Sequence, residues 1–226
     1  MSQQHHFTLY THKTAPNGWK VAIVLEELGL DYHSIYIDFT KDEHRAPEHT
    51  QFNPNGRIPT LVDHKNNDFA VWESNAIITY LVDKYDTDGK ISATSFEEKT
   101  QQLQWLFFQA SGQGPYFGQA VWFIRSHPEK VQSAVERYQK EILRVLGVLE
   151  SVLSKQEWLV GGRFTVTDLS FVVWNKLVLD GTATQGYYSA AQFEKDFPAV
   201  YKWHQLMMDR PTVKKIYALR ESLKSA

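Results

Sequence analysis

The chain has 226 residues, a formal net charge of −2 and no cysteine. That length holds one large domain or two modest ones, and the absence of cysteine excludes disulfides, thiolate-ligated zinc and a cysteine nucleophile. The near-neutral charge argues against a polybasic face for nucleic acid or anionic membrane, and no apolar run nears the ~20 residues of a spanning helix. Met1-Ser-Gln-Gln-His-His6 has neither the basic start nor the apolar stretch of a signal peptide, so the expectation is a soluble, cytoplasmic protein. Along the chain, Phe7–Tyr10 reads as a short strand, closed by the breakers Pro16, Asn17 and Gly18. Val21, Val24, Leu25 and Leu28 then form a helical stripe that stops at Gly29, a C-terminal cap. Tyr32–Ile37 is a second strand, Lys41 to Pro54 a polar loop, and Ile58–Val62 a third strand. Asn66-Asn67 turns the chain into a fourth strand, Phe69–Trp72, before a helix that starts near Ser74 and carries Ile77, Ile78 and Leu81. This β-α-β, then β-β-α order predicts a thioredoxin-like domain over residues 1–86.

Thr87 to Ser95 is small, polar and unpatterned, a linker. Residues 96–226 predict an all-helical second domain. Leu103, Leu106, Phe107 and Ala110 make one stripe, which Gly112-Gln-Gly-Pro115 interrupts. Val135, Tyr138, Ile142, Leu146 and Leu149 mark a long helix over Val131–Leu153. Thr165-Val-Thr-Asp168 has the pattern of a capping box, and Pro198 and Pro211 suit the first turns of two more helices.

Two motifs point to dull readings. Gly112-x-Gly114-x-x-x-Gly118 follows a helix rather than a strand and contains Pro115, so it reads as a helix break or kink and not a nucleotide loop. Glu43-His44 and Glu48-His49 have the residue types of a metal site, but Pro47 spoils a shared helix face, and no metal is expected. Three other features carry chemistry. Asn17 stands where the first strand gives way to the first helix, so it is either a plain helix cap or an extra donor at an anion-binding helix start. Ile58-Pro59 at a strand mouth is either a loop proline or a bend that turns the Ile58 peptide outward for an extended ligand. Glu73-Ser74 is either a solvated acid beside a cap, or a pair matching the ammonium and carboxylate of an amino-acid headgroup.

In combination these segments resemble the glutathione transferase superfamily over nearly the whole chain. Thr14-Ala-Pro-Asn-Gly-Trp-Lys-Val21, Glu43-His-Arg-Ala-Pro-Glu48, Asn53-Pro-Asn-Gly-Arg-Ile-Pro59, Trp72-Glu-Ser74, Leu103-Gln-Trp-Leu-Phe107 and Ala134-Val-Glu-Arg-Tyr138 are similar to the branch that holds the yeast prion nitrogen regulator, its fungal transferase relatives and the bacterial Nu class. The resemblance implies the fold of that superfamily, with glutathione as cosubstrate and no bound cofactor. It implies that Asn17 donates to the glutathione thiolate, that His44 reaches the glycine end, and that Ile58 pairs with the tripeptide backbone. Glu73 and Ser74 take the γ-glutamyl group. Arg137 matches an arginine that reaches the glutathione of a second subunit, which implies a homodimer. Bacterial relatives often carry Thr before the Pro-Asn pair. Here the position is Ala15, so Thr11 and Thr14 are the hydroxyls left to assist Asn17. The tyrosine and cysteine catalytic types of other classes find no match.

The implied activity is attack by a stabilised thiolate on small hydrophobic or aromatic electrophiles, peroxides or disulfides. In a cysteine-free chain any disulfide exchange runs through the sulfur of glutathione itself. Phe107, Phe108, Tyr116, Phe117, Trp122, Phe123 and Trp174 are candidates for the second-substrate pocket. A non-catalytic regulator or an aromatic-ligand carrier of the same fold is the alternative. The magnitudes suit catalysis: lowering a thiol pKa of ~8.5 by two units takes roughly 2.7 kcal/mol. One charge-assisted hydrogen bond supplies ~1.5–3 kcal/mol and a helix start ~0.3–1.

Overall fold

A computed structural model describes residues 5–185 and 187–224. Its contacts divide the chain into two units. The first is built on β1 (Phe7–Thr11), α1 (Pro16–Glu27), β2 (Tyr32–Tyr36), α2 (Pro47–Thr50), β3 (Thr60–Asp63), β4 (Phe69–Trp72) and α3 (Ser74–Tyr85). The sheet order is β2-β1-β3-β4, with β1 parallel to β2 and antiparallel to β3, and β3 antiparallel to β4. This is the thioredoxin-like arrangement expected from the chain order. Phe7 and Leu9 point into the core from alternate positions of β1, and Leu61 pairs with Leu9 across the β1–β3 ladder.

α1 departs from a simple amphipathic stripe, because Trp19 through Leu25 are all buried, Lys20 included. It lies against β1 on one side and α3 on another, so a helix read as half-exposed is covered nearly all round. Its end is the expected glycine stop. Gly29 adopts a left-handed φ of 64°, and the N–H groups of Gly29 and Leu30 donate to the carbonyls of Glu26 and Leu25, closing a Schellman motif.

The segment read as a polar loop contains α2, a single helical turn opened by Pro47. Its His49 is buried. The His49 Nδ1 donates to the His44 carbonyl at 2.8 Å, and its Nε2 accepts from the Thr60 hydroxyl at 3.0 Å. With that ring committed to the protein, the two Glu-His pairs form no common cluster. The third strand begins at Thr60, after a cis Ile58-Pro59 bond, and not at Ile58.

The second unit holds α4 (Phe96–Phe108), α5 (Gly114–Arg125), α6 (Gln132–Leu153), α7 (Val166–Leu179), α8 (Ala190–Asp196) and α9 (Pro198–Met208). The glycine-rich stretch, expected to break or kink the helix, does not break it. Gln109–Gln113 forms a π-helical turn that carries α4 into α5 without interruption. The wider turn places Gln113 in the interior, where its amide donates to Asn175 Oδ1 at 2.8 Å. Gly118 then lets α5 approach α7: a Cβ there would stand 3.4 Å from the Trp174 ring.

The capping box forms as read. Thr165 and Asp168 close the start of α7, and the buried Asp168 carboxylate also accepts from Leu159 N at 3.0 Å and Trp203 Nε1 at 2.9 Å. That carboxylate therefore ties α7 to α9.

The last helix, α10 (Pro211–Lys224), begins at Pro211 as expected but packs with the first unit. The helical domain expected over residues 96–226 therefore gives up this last helix to the first unit. The reason is electrostatic as well as apolar. Glu27, buried at the end of α1, receives a two-pronged bond from Arg210 at 2.7 and 2.8 Å and a further short one from Thr212. Further along, Arg220 donates to the Thr14 carbonyl at 3.0 Å, which braces the segment leading into α1.

Candidate active site

Asn17, Ile58, Glu73 and Ser74, drawn from three separate stretches of the first unit, line one pocket of about 250 Å³. Asn53, Asn55, Arg57 and Pro59 complete its wall. Two helix starts converge there. α1 opens with Ala15 at its N-cap and Pro16 at the first helical position, so Asn17 is the second residue of the helix and not its cap. α3 opens with Glu73 at the N-cap, and Ser74 is already helical, so the plain Ser-cap reading also fails. The starts of two helices, whose dipoles are positive at that end, therefore line the space together with Asn17 and Ser74. This is an anion-binding arrangement with one carboxylate, Glu73, set beside it.

Glu73 sits at φ 70° and ψ 113°, a left-handed backbone that an L-residue adopts at a cost. Its carbonyl nevertheless accepts the N–H of Ile77 at 2.9 Å, the first bond of α3. Backbone strain at a residue with a ligand-facing side chain is a mark of a binding site.

A buried cation links the two helices whose starts line the pocket. Lys20, one turn after Asn17 on α1, is 1% exposed and donates to Asn75 Oδ1 at 2.6 Å. Burial pushes its ammonium down to about 7, against the pull of the Glu73 carboxylate. The wall at residues 53–59 is held by buried Asn53, whose amide donates to the Arg57 carbonyl at 2.7 Å and to Thr60 Oγ1 at 2.9 Å. Asn55 N donates back to Asn53 Oδ1 at 3.0 Å, completing a tight turn. Gly56 allows it: φ is 61°, and an added Cβ would meet the His44 carbonyl at 3.2 Å.

Two predicted residues lie elsewhere. His44 is not among the pocket residues. Its ring packs edge-on against Phe39, its Nε2 stands 3.8 Å from Asp42 Oδ1, and its Nδ1 is buried without a hydrogen-bond partner. Arg137 is exposed on α6 in the other unit, beside Ser133, Glu136, Lys140 and Glu141. The substitute hydroxyls also stand apart from the pocket wall. Thr11 is buried with its Oγ1 against Gly18, and Thr14 Oγ1 shares a hydrogen bond with His12 Nδ1 at 3.2 Å. Among the aromatic candidates, Phe117 and Trp174 are core, whereas Phe123 stacks on Tyr138 and His127 between α5 and α6.

Asn53, Asn55 and Arg57, to which the sequence pattern assigns no site role, belong to the same Asn53–Pro59 segment as Ile58. The signal was present: asparagines spaced two apart around Pro54 are turn formers, and a turn abutting a strand mouth lines whatever the mouth binds.

A thioredoxin-like sheet with an anion pocket built from two helix starts, joined in one chain to a helical unit, defines a glutathione-binding class of protein. Residues 5–83 match the glutathione S-transferase N-terminal domain, and residues 115–211 match the glutathione S-transferase C-terminal domain. The chain belongs to the glutathione S-transferase family. It is 53% identical to glutathione S-transferase 2 of Schizosaccharomyces pombe, over 92% of this chain and 94% of the relative. It is 41% identical to protein URE2 of Candida glabrata, over 95% of this chain and 67% of that protein. Among solved structures, the glutathione transferase URE2P6 of Phanerochaete chrysosporium in complex with oxidized glutathione superposes with a TM-score of 0.93 at 61% identity, over 98% and 99% of the two chains. Ure2p5 of the same organism, cocrystallized with 1-(S-glutathionyl)-2,4-dinitrobenzene, gives 0.88 at 47% identity, over 99% and 98%.

Proposed function

We propose that the pocket binds glutathione with its γ-glutamyl group at Glu73 and Ser74, its backbone on Ile58, and its sulfur at Asn17. The observation that carries this reading is the meeting of Asn17 and Ser74, each at the start of a helix, in one pocket that also holds Glu73 and Ile58. Glu73 offers a carboxylate to the α-ammonium, and Ser74 offers a hydroxyl and an N–H to the α-carboxylate. The Asn17 amide and the start of α1 then favour thiolate over thiol by roughly 2–4 kcal/mol, enough without a general base. Arg57 is the cation at hand for the glycine carboxylate, a role the resemblance had assigned to His44.

The enzyme is a glutathione transferase. With an aromatic halide, the thiolate sulfur bonds to the ring carbon and halide departs with the bonding electrons. We extend this to disulfide exchange. One glutathione thiolate opens a mixed disulfide and releases a thiol, and with no protein cysteine available the two glutathione sulfurs end as oxidised glutathione. That URE2P6 crystallises with oxidized glutathione supports this extension. Purified protein that shows no glutathione-dependent turnover with either a dinitrobenzene halide or a glutathione mixed disulfide refutes the reading. The regulatory alternative has less support, the transferase relative being 53% identical against 41% for URE2.

A homodimer belongs to the same proposal. Each unit carries exposed apolar side chains: Phe69 and Trp72, on opposite faces of β4, and Phe96, Leu103 and Phe107 along one face of α4. A second copy is the occupant proposed for both, with Arg137 reaching the partner's glutathione. Sedimentation at a monomer mass, or unchanged glutathione affinity in Arg137→Ala dimers, rejects it. We place the enzyme in the cytoplasm, where reduced glutathione suits a chain with no disulfide to protect. Cell fractionation tests that placement.

A further inference from the structure

We propose that Lys20 is a positioning residue of the pocket, a buried ammonium that ties the first turn of α3 to α1 and answers, from beneath, the ligand carboxylate held at Ser74. The inference rests on the glutathione reading of the pocket and adds a residue that lines no part of it. A lysine with 1% exposure is rare, and a cation beside the positive end of a helix is disfavoured twice over. Lys20 is nonetheless held there by Asn75, the residue after Ser74, at 2.6 Å. The cost of burying it falls when negative charge gathers around the first turn of α3, and a carboxylate ligand brings that charge.

Of the charged groups on the elements packed against α1, Asp83 and Lys84 stand in the last turn of α3, away from Asn75, and Lys214, Lys215, Glu221 and Lys224 of α10 are exposed. From the turn before α3 comes Glu73, whose field favours the ammonium. From α10 comes Arg220, committed to the Thr14 carbonyl and the Tyr217 ring. Along α1 itself, Glu27 is committed to Arg210. β1 presents Thr11, which is uncharged. With the free ammonium lowered to about 7 by burial, part of the population is neutral at physiological pH. A ligand carboxylate favours the protonated form, so binding draws a proton onto Nζ.

The sign follows by linkage: affinity is full below the free pKa and weakens as pH rises through it. From a free value near 7, affinity falls about tenfold between pH 6 and pH 8, and close to one proton is taken up at pH 8.

S-methylglutathione is the probe, because it has no thiol proton to release. Titration calorimetry at pH 8 in two buffers of different ionisation enthalpy counts the protons exchanged by the wild-type enzyme. The expected result is an uptake above half a proton, an affinity that drops about tenfold from pH 6 to 8, and loss of both in Lys20→Met, which binds weakly at either pH. With glutathione and a halide substrate, Lys20→Met raises KM about tenfold and leaves kcat within about twofold. Zero uptake in the wild type overturns the inference, whether or not Lys20→Met folds. Uptake that persists in Lys20→Met overturns it as well, since another group is then the acceptor. No binding of the probe to wild type overturns the pocket assignment itself, and the role of Lys20 with it.

Discussion

Replacing Asn17 by alanine isolates thiol activation from binding and from folding. Asn17 occupies the second position of α1, while Ala15 is the cap and makes no side-chain cap bond. The substitution therefore removes no cap, and alanine propagates a helix at least as well as asparagine, so the unfolding free energy should stay within about 0.5 kcal/mol. What is lost is one amide donor to a charged sulfur, about 1.5–3 kcal/mol, or one to two units of thiol pKa. Below the thiol pKa, kcat/KM for a dinitrobenzene halide should drop about ten- to a hundred-and-fifty-fold. The loss should shrink at alkaline pH, where the thiol ionises unaided, so the acid limb of the profile shifts upward. KM for glutathione should change little, because Ile58, Glu73 and Ser74 hold the remainder of the tripeptide. The thiol pKa of the complex, followed by thiolate ultraviolet absorbance, should rise in step with the kinetic limb. A variant with altered thermal stability but an unmoved rate and profile refutes the reasoning. Thr11 is then a poor substitute, being packed against Gly18 and absent from the pocket wall.

Glu73→Gly should do two opposite things. It relieves a φ of 70°, raising the urea midpoint by about 1 kcal/mol of stability, and it removes the ammonium partner, raising the glutathione KM at least about tenfold; unchanged affinity contradicts the site. Gly18→Ala places a Cβ 1.8 Å from Thr11 Oγ1 and 2.9 Å from Thr11 Cβ, so about 1–3 kcal/mol of stability should disappear in denaturant unfolding, and a tolerated alanine contradicts this packing. In the helical unit, burial first and Lys176 second push the His204 ring down to about 3. The unfolded ring titrates near ~6.5, so its contribution is intact above that pH and is lost as pH falls from there toward 3. Unfolding midpoints should therefore drop by a few kcal/mol between about pH 6.5 and 4.5, with a shallower slope in His204→Gln, and equal slopes in the two proteins would remove His204 from the account.

Local chemistry made much of this legible from the residues alone. Alternating apolar residues in Phe7–Thr11, the Gly29 stop, the Thr165–Asp168 box and the prolines at 198 and 211 act through near neighbours in the chain, and each appears in the structure where its physics requires. Four pocket residues were legible for a similar reason: Asn17, Ile58, Glu73 and Ser74 each stand at a strand mouth or helix start, where backbone groups are left unpaired. Residues whose environment is made by distant segments were not. Lys20 sits in a helix that reads as one-faced, and only the packing of β1, α3 and α10 on α1 makes its position interior. His44 reads as a ligand group from its segment, whereas the fold sets its carbonyl close to Gly56 and packs its ring on Phe39. The last helix joined the first unit because Glu27, 183 residues earlier, needed a bidentate partner in the interior. Periodicity and capping act over one helical turn or one strand, and so they can be read along the chain. Burial and ion pairing depend on which segments meet in space, and that is decided only when the chain folds.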